Sequence, residues 1–205
     1  HRAVFPLSIN DSRSGTAATA AQHKDRKMGF AGNDALVVRL AAPTDEAFLF
    51  ELYASTRAEE LAAWGWDAAQ QTAFLQLQFR GQQHHYAAYP DTKHYIIERT
   101  EQTSGEPHTR AIGRLLTSRP DQTDEIRLVD VALLPEARGA GIGTALVQWV
   151  QAQAQYDRKA VRLHVAPDNP ARRLYERLGF QLIEDRGSHL FMEWRAAKEH
   201  TTHAG

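Results

Sequence analysis

The chain has 205 residues, enough for one globular domain with a sizeable core. Its 24 Lys+Arg and 25 Asp+Glu leave a formal net charge of -1, so no global field favours nucleic acid or an anionic membrane. It has no cysteine, which excludes disulfides, thiolate zinc sites and a cysteine nucleophile. No apolar run approaches the ~20 residues of a membrane span, and no secretory h-region is recognisable, so a cytoplasmic protein is expected.

Residues 1–34 show no sustained period and are rich in small and polar types. They read as a flexible N-terminal tail. Met28 sits just before the first strand-like run, so a native start there is one expectation. "ALVVRL" (Ala35 to Leu40) is β-branched and apolar, a strand. In "PTDEAFLFELYASTRAEELAAW", Pro43 and Thr44 are helix start signals, and Phe48, Leu49, Leu52 and Tyr53 recur at helical spacing. A second helix is expected from about Asp67 to Tyr86, with Phe74, Leu75, Gln78 and Phe79 on one side and Pro90 beyond its end. "KHYIIER", "TRAIGRLLTS" and "EIRLVDVALL" are three further strands, separated by "EQTSGEP" and "RPDQTD".

Next comes "LLPEARGAGIGTALVQWVQAQ", with Gly139, Gly141 and Gly143 at alternate positions. Ile142, Ala145, Leu146, Trp149 and Val150 form one apolar helical face after them. Then follow a strand (Ala160 to Ala166) and a short helix in "PDNPARRLYERLGF". There Asn169 is placed as N-cap, Pro170 at the first helical position and Gly179 just past the end. Two strands, "FQLIE" and "HLFMEW", close the domain, and residues 196–205 read as a second flexible tail. The order β-α-α-β-β-β-α-β-α-β-β implies an α/β (α+β) layer fold over residues 35–195, a mixed sheet covered by helices.

The glycine segment fits neither phosphate-loop template. A Walker loop beginning at Gly139 would need a glycine where Thr144 stands and then a lysine. A dinucleotide fingerprint fails at Thr144 or Leu146, depending on its start. What remains is strand, tight turn, helix start. Bare glycines let backbone N–H groups converge on an anion at a positive helix end. Arg138 and Thr144 would assist. On spacing alone, a turn that only packs a helix against a sheet stays open.

Arg138, Gly141 and Gly143 form an R-x-x-G-x-G pattern that resembles the acetyl-CoA loop of the GNAT superfamily of N-acetyltransferases. "NPARRLYERLGF", Asn169 to Phe180, resembles the helix and following strand that close that superfamily's cofactor cleft. Both motifs stand in the superfamily's order. The likeness is strong over about Glu125–Ile183 and rests on topology elsewhere. It implies a mixed, mostly antiparallel sheet of about six or seven strands flanked by helices. It implies acetyl-CoA as cosubstrate and a small-molecule or peptide amine as acceptor, with a homodimer left open.

The resemblance also assigns expected roles. Arg138, Gly139, Ala140, Gly141, Ile142, Gly143 and Thr144 would hold the cofactor's phosphates. The backbone of Ala132, Leu133 and Leu134 would pair with its pantetheine arm. The N–H of Val131 or a neighbour would polarise the thioester carbonyl. Asn169 is an N-cap first and a cofactor contact second. Tyr175 would protonate the leaving thiolate: a thiol titrates near ~8.5 and a tyrosine near ~10, so Tyr175 donates without being ionised itself. A core aromatic on the Ala171, Leu174, Tyr175, Leu178 face is its other reading. A lysine-like amine near ~10.4 needs about 4–5 kcal/mol to reach neutrality at pH 7, so a proton acceptor is expected. Asp130, an acid in the otherwise apolar "VDVALLP", is the first candidate; an ion pair with Arg127 or Arg114 is its alternative. Glu125 and then His164 rank below it. Tyr53, Arg57, Glu59, Glu60, Trp64, Trp66 and Asp67 would line an acceptor pocket, or simply serve core and surface. His84, His85 and His94 lack the i, i+4 geometry of a zinc helix, so no metal is expected. Direct transfer by an enzyme is the leading expectation. A non-catalytic acyl-CoA-binding regulatory module is the alternative, and a plain interaction domain the third.

Overall fold

The computed structural model describes residues 26–29, 35–89, 91–101 and 106–197. Its strands are β1 (Arg26–Gly29), β2 (Ala35–Leu40), β3 (Thr92–Glu101), β4 (His108–Ser118), β5 (Glu125–Leu133), β6 (Ala160–Val165), β7 (Gln181–Asp185) and β8 (Leu190–Trp194). Its helices are α1 (Glu46–Ser55), α2 (Ala58–Ala62), α3 (Ala68–Ala87), α4 (Ile142–Tyr156) and α5 (Ala171–Arg177). The strands form one eight-stranded sheet in the order β1-β2-β3-β4-β5-β6-β8-β7. Every neighbouring pair is antiparallel except β5 and β6, which run parallel through the α4 crossover.

Two apolar layers cover the sheet. On one face, Ile142, Leu146, Val147, Val150 and Ala154 of α4 bury against Tyr95, Ile97, Leu115, Ile126, Leu128 and Leu163, with Leu174, Tyr175 and Leu178 of α5 alongside. On the other, Leu49 and Tyr53 of α1, Leu61 of α2, and Leu75 and Phe79 of α3 close over Ile96.

Three sequence expectations change. Residues 26–29, placed in the tail, pair with β2 from Arg26↔Val38 to Gly29↔Ala35. This edge strand is carried by backbone hydrogen bonds, and "RKMG" has no apolar alternation to reveal it. It takes the sheet to eight strands, beyond the expected six or seven. Residues 1–25, 30–34 and 198–205, Pro90 and the turn at 102–105 lie outside the described residues. The first helix is broken in two. Ser55 Oγ and Thr56 Oγ1 donate to the Leu52 and Tyr53 carbonyls at 2.8 and 2.7 Å, competing with the helical ladder.

One irregularity positions the site. The β4–β5 register runs Leu116↔Asp130 and then Thr117↔Leu128, so Val129 is an extra residue, a β-bulge. Before it, the even residues Ile126 and Leu128 face α4; after it, the odd residues Val131 and Leu133 do. The bulge therefore turns Asp130 out of the α4 core and onto the α3 face.

Candidate active site

The glycine loop ends in a bare helix start. Gly139 and Gly141 both have φ of +79°, a region where a Cβ would clash with the chain's own carbonyl. Gly141 is the N-cap of α4 and brings no capping side chain. The first intrahelical bond runs from Ala145 N–H to the Gly141 carbonyl, at 3.1 Å. Among the described residues, none of the N–H groups from Gly139 to Thr144 donates to a protein acceptor. A row of orphan donors at the positive end of a 15-residue helix fits a pyrophosphate. Gly143 plays a different part: it has an ordinary φ, and its Cβ would stand 3.7 Å from Leu174 Cδ2.

Upstream of the loop, the sheet opens. β5 and β6 are paired only from Glu125↔Ala160 to Leu128↔Leu163. Past the bulge, Asp130–Leu133 stay half-buried although β5 is an interior strand. Leu134 N–H donates to the Ile112 carbonyl at 2.9 Å. Strand alternation then aims the backbone of Asp130 and Ala132 at β4, and that of Val131 and Leu133 at the open side. Arg138 Nε donates to the Leu133 carbonyl at 2.9 Å, reaching that edge from the loop. The expected pantetheine ladder is thereby narrowed to Val131 and Leu133. Leu134 uses its N–H on Ile112 and its carbonyl on Ala137 N–H, and Ala132 faces β4.

Tyr175 lies on the α4 side of the sheet and Asp130 on the α3 side, near enough for the carboxylate's charge to act on the tyrosine hydroxyl. Tyr175 packs against Phe180, ring centroids 5.6 Å apart, in the α5 layer. Burial, and then the charge of Asp130, push its hydroxyl up to about 12. No described side chain takes a hydrogen bond from it. Asn169 Oδ1 accepts the Ala171 N–H at 2.9 Å, the expected cap, and Pro170 already has helical dihedrals. At the other end of α5, Gly179 (φ +85°) turns the chain so that Phe180 N–H reaches the Tyr175 carbonyl at 3.0 Å. Both ends of the seven-residue helix that carries Tyr175 are thus fixed.

Of the two ion-pair alternatives, Asp130 takes Arg114. Arg114 Nε and Nη2 both contact Asp130 Oδ2, at 2.9 and 2.8 Å. Arg114 is 3 % exposed and also donates to Gln82 Oε1 (3.3 and 3.4 Å) and Tyr86 Oη (3.5 Å) of α3. Its guanidinium lies 5.1 Å from the Tyr86 ring centroid. His94 packs edge-on to Tyr86, and burial and the nearby Arg114 lower its imidazole below the ordinary histidine range. Gln82 and Tyr86 were missed in the sequence as partners of Arg114 because only the fold brings α3 onto β4. Gly113 was missed too. A Cβ there would stand 2.7 Å from the Ala132 carbonyl oxygen, so the close β4–β5 approach beside the site requires glycine.

The lower-ranked candidates belong elsewhere. Glu125 is saturated by Arg127 on Oε1 and Arg162 on Oε2. His164 stacks on Phe191, centroids 4.6 Å apart. Asp67 caps α3 by accepting from Gln70 N–H. Tyr53 is buried against Phe79, and Arg57 bonds Glu60 at 3.0 Å. Trp64 and Trp66 pack with Phe74 in a half-exposed aromatic cluster, and the side chain of Glu59 lies outside the described set. No helix among the described residues is long and apolar enough to cross a membrane.

Residues 49–180 match the Acetyltransferase (GNAT) family. No curated protein sequence matches the chain. Its fold is similar to that of the PaiA N-acetyltransferase from Thermoplasma acidophilum in complex with coenzyme A, at 17% identity and a TM-score of 0.55, covering 78% of this chain and 99% of that one. It is similar to a domain from Methanocaldococcus jannaschii (15% identity, TM-score 0.58, 80% and 100% covered). A GNAT-family acetyltransferase from Listeria monocytogenes is alike in the same way (14% identity, TM-score 0.55, 83% and 100% covered). The open β5 edge, the bare start of α4 and the family match over residues 49–180 agree: the chain belongs to the GNAT acetyltransferase family and is an acyltransferase.

Proposed function

We propose that the protein is a cytoplasmic N-acetyltransferase that moves an acetyl group from acetyl-CoA directly to a primary amine on a small molecule or peptide. The observation that carries this is the row of unbonded N–H groups from Gly139 to Thr144, placed directly after an open strand edge. Acetyl-CoA supplies the acetyl group as a thioester. The loop N–H groups hold its pyrophosphate, with the remaining Arg138 guanidinium nitrogens and the Thr144 hydroxyl beside them. Val131 and Leu133 present backbone groups to the pantetheine arm, and the Val131 N–H polarises the reacting carbonyl. Asp130 accepts a proton from the incoming ammonium. The N–C bond then forms as the C–S bond breaks, and Tyr175 protonates the departing sulfur. The amine gives up a second proton after attack, which restores Tyr175, so one amide, one thiol and one released proton result. General-acid help of this kind contributes roughly 10²–10⁴-fold.

Thermal unfolding with acetyl-CoA tests the cofactor site. At about 100 times the dissociation constant, binding adds roughly 2.7 kcal/mol, a Tm shift of about 5–11 °C for a domain of this size. Release of free thiol from acetyl-CoA, with n-butylamine and hydroxylamine as acceptors, tests transfer. Stabilisation without amine-dependent release would overturn the proposed direct transfer to an amine. No shift would overturn the cofactor site.

A further inference from the structure

Arg114 is an unusual residue to find inside a sheet. Its side chain is 4 % exposed, while that of Asp130, its partner, is 18 % exposed. Both arginine contacts converge on Oδ2, and Oδ1 accepts no hydrogen bond from the described residues. The arginine is held from behind by α3, through Gln82 Oε1 and the Tyr86 ring and hydroxyl. The charged and titratable groups around the pair are Tyr86 from α3, His94 from β3 and Tyr175 from α5. A lone buried guanidinium is expensive, so Arg114 has to keep Asp130 close. Its planar fork and its α3 partners fix from which side it does so.

We infer that Arg114 is a positioning residue for the acceptor amine: braced by Gln82 and Tyr86 of α3, it grips Asp130 through Oδ2 and leaves Oδ1 turned to the incoming ammonium. This rests on the acetyltransferase reading and extends it to a residue that meets neither substrate. It makes α3 part of the acceptor side of the enzyme. A variant that loosens the grip harms an acceptor that arrives as an ammonium more than one that arrives neutral.

The test compares n-butylamine, protonated at pH 7, with hydroxylamine, which is largely neutral there. Arg114→Lys keeps the charge and loses the fork. It is expected to raise the KM for n-butylamine at least fivefold and to leave the KM for hydroxylamine and for acetyl-CoA within twofold. In an Asp130→Asn background, Arg114→Lys should add less than twofold, because its effect passes through Asp130. Gln82→Leu removes one brace and leaves Arg114 in place; a two- to threefold rise confined to n-butylamine is expected, and this variant decides the matter if Arg114→Lys does not fold. Unchanged n-butylamine kinetics would overturn the inference. So would an equal loss with both amines, which marks a purely structural ion pair. If the unmodified protein accelerates neither amine, the proposed transfer to an amine itself fails, and this inference with it.

Discussion

Strand β5 carries two ion-paired carboxylates five residues apart, and they sit in opposite situations. Glu125 lies where β5 is zipped to β6, and both its oxygens are taken, by Arg127 and Arg162. Arg162 continues to Glu193, and Arg195 links Glu193 to Asp124, so a chain of charges laces β5, β6 and β8. Asp130 lies past the Val129 bulge, where β6 has left, and one arginine holds one of its oxygens. Both carboxylates are anions matched to arginine. Only the one with an unfilled oxygen beside an opening is suited to chemistry. An ion pair therefore does not by itself separate a structural acid from a functional one; the count of satisfied oxygens and the state of the neighbouring strand do.

The sharpest probe of this contrast is Tyr175→Phe, since the charge of Asp130 acts on the Tyr175 hydroxyl. Turnover should fall at least tenfold, with the acetyl-CoA-induced Tm shift preserved. An active Phe variant would remove the general acid and leave Tyr175 as core. Next, the two carboxylates should part company when neutralised. Glu125→Gln should cost about 1.5–3 kcal/mol, roughly 3–12 °C in Tm, because two arginines lose a charged acceptor. Asp130→Asn should act chiefly on acceptor KM or the pH profile. Matching stability losses with unchanged kinetics would show the pair to be equivalent. Gly141→Ala tests the loop that only the Asp130 end possesses. Its Cβ meets nothing within 4 Å, so the expected loss of about 1–2 kcal/mol comes from the φ of +79° alone. Weakened acetyl-CoA binding should accompany it, read by titration calorimetry. The smallest effect concerns alkaline pH. Burial raises both Tyr175 and Tyr86 above the ordinary tyrosine value. Unfolded tyrosines ionise near ~10 while these stay protonated, so their contribution is full below pH 10 and is lost as pH rises toward the folded values. Urea unfolding at pH 9 and 11 should show a smaller drop for Tyr175→Phe than for the unmodified protein.

Much of the site was legible in the chain because it is local. The alternate glycines, the apolar face of α4, and the Asn169 cap with Gly179 beyond α5 are all encoded within a few residues, and each is found as expected. What stayed hidden depends on partners far away in sequence. Val129 is an ordinary strand residue until β4 pairs with it. Gly113 reads as a weak spot in a strand until the Ala132 carbonyl closes over it. Arg114 and Asp130 were legible as a pair among alternatives, but their brace on Gln82 and Tyr86 requires α3 to lie across the sheet. The edge strand β1, RKMG, carries no apolar alternation that would mark it as a strand in the sequence.

Between β1–β5 on one side and β6–β8–β7 on the other, the sheet is sewn by the pairs Glu125↔Ala160 to Leu128↔Leu163 and then lies unstitched. A ligand that bonds the free edge would act as the missing stitching. Its arrival would then be felt as slowed amide hydrogen exchange at Val131 and Leu133, and along β6 across the seam, well beyond the atoms it touches.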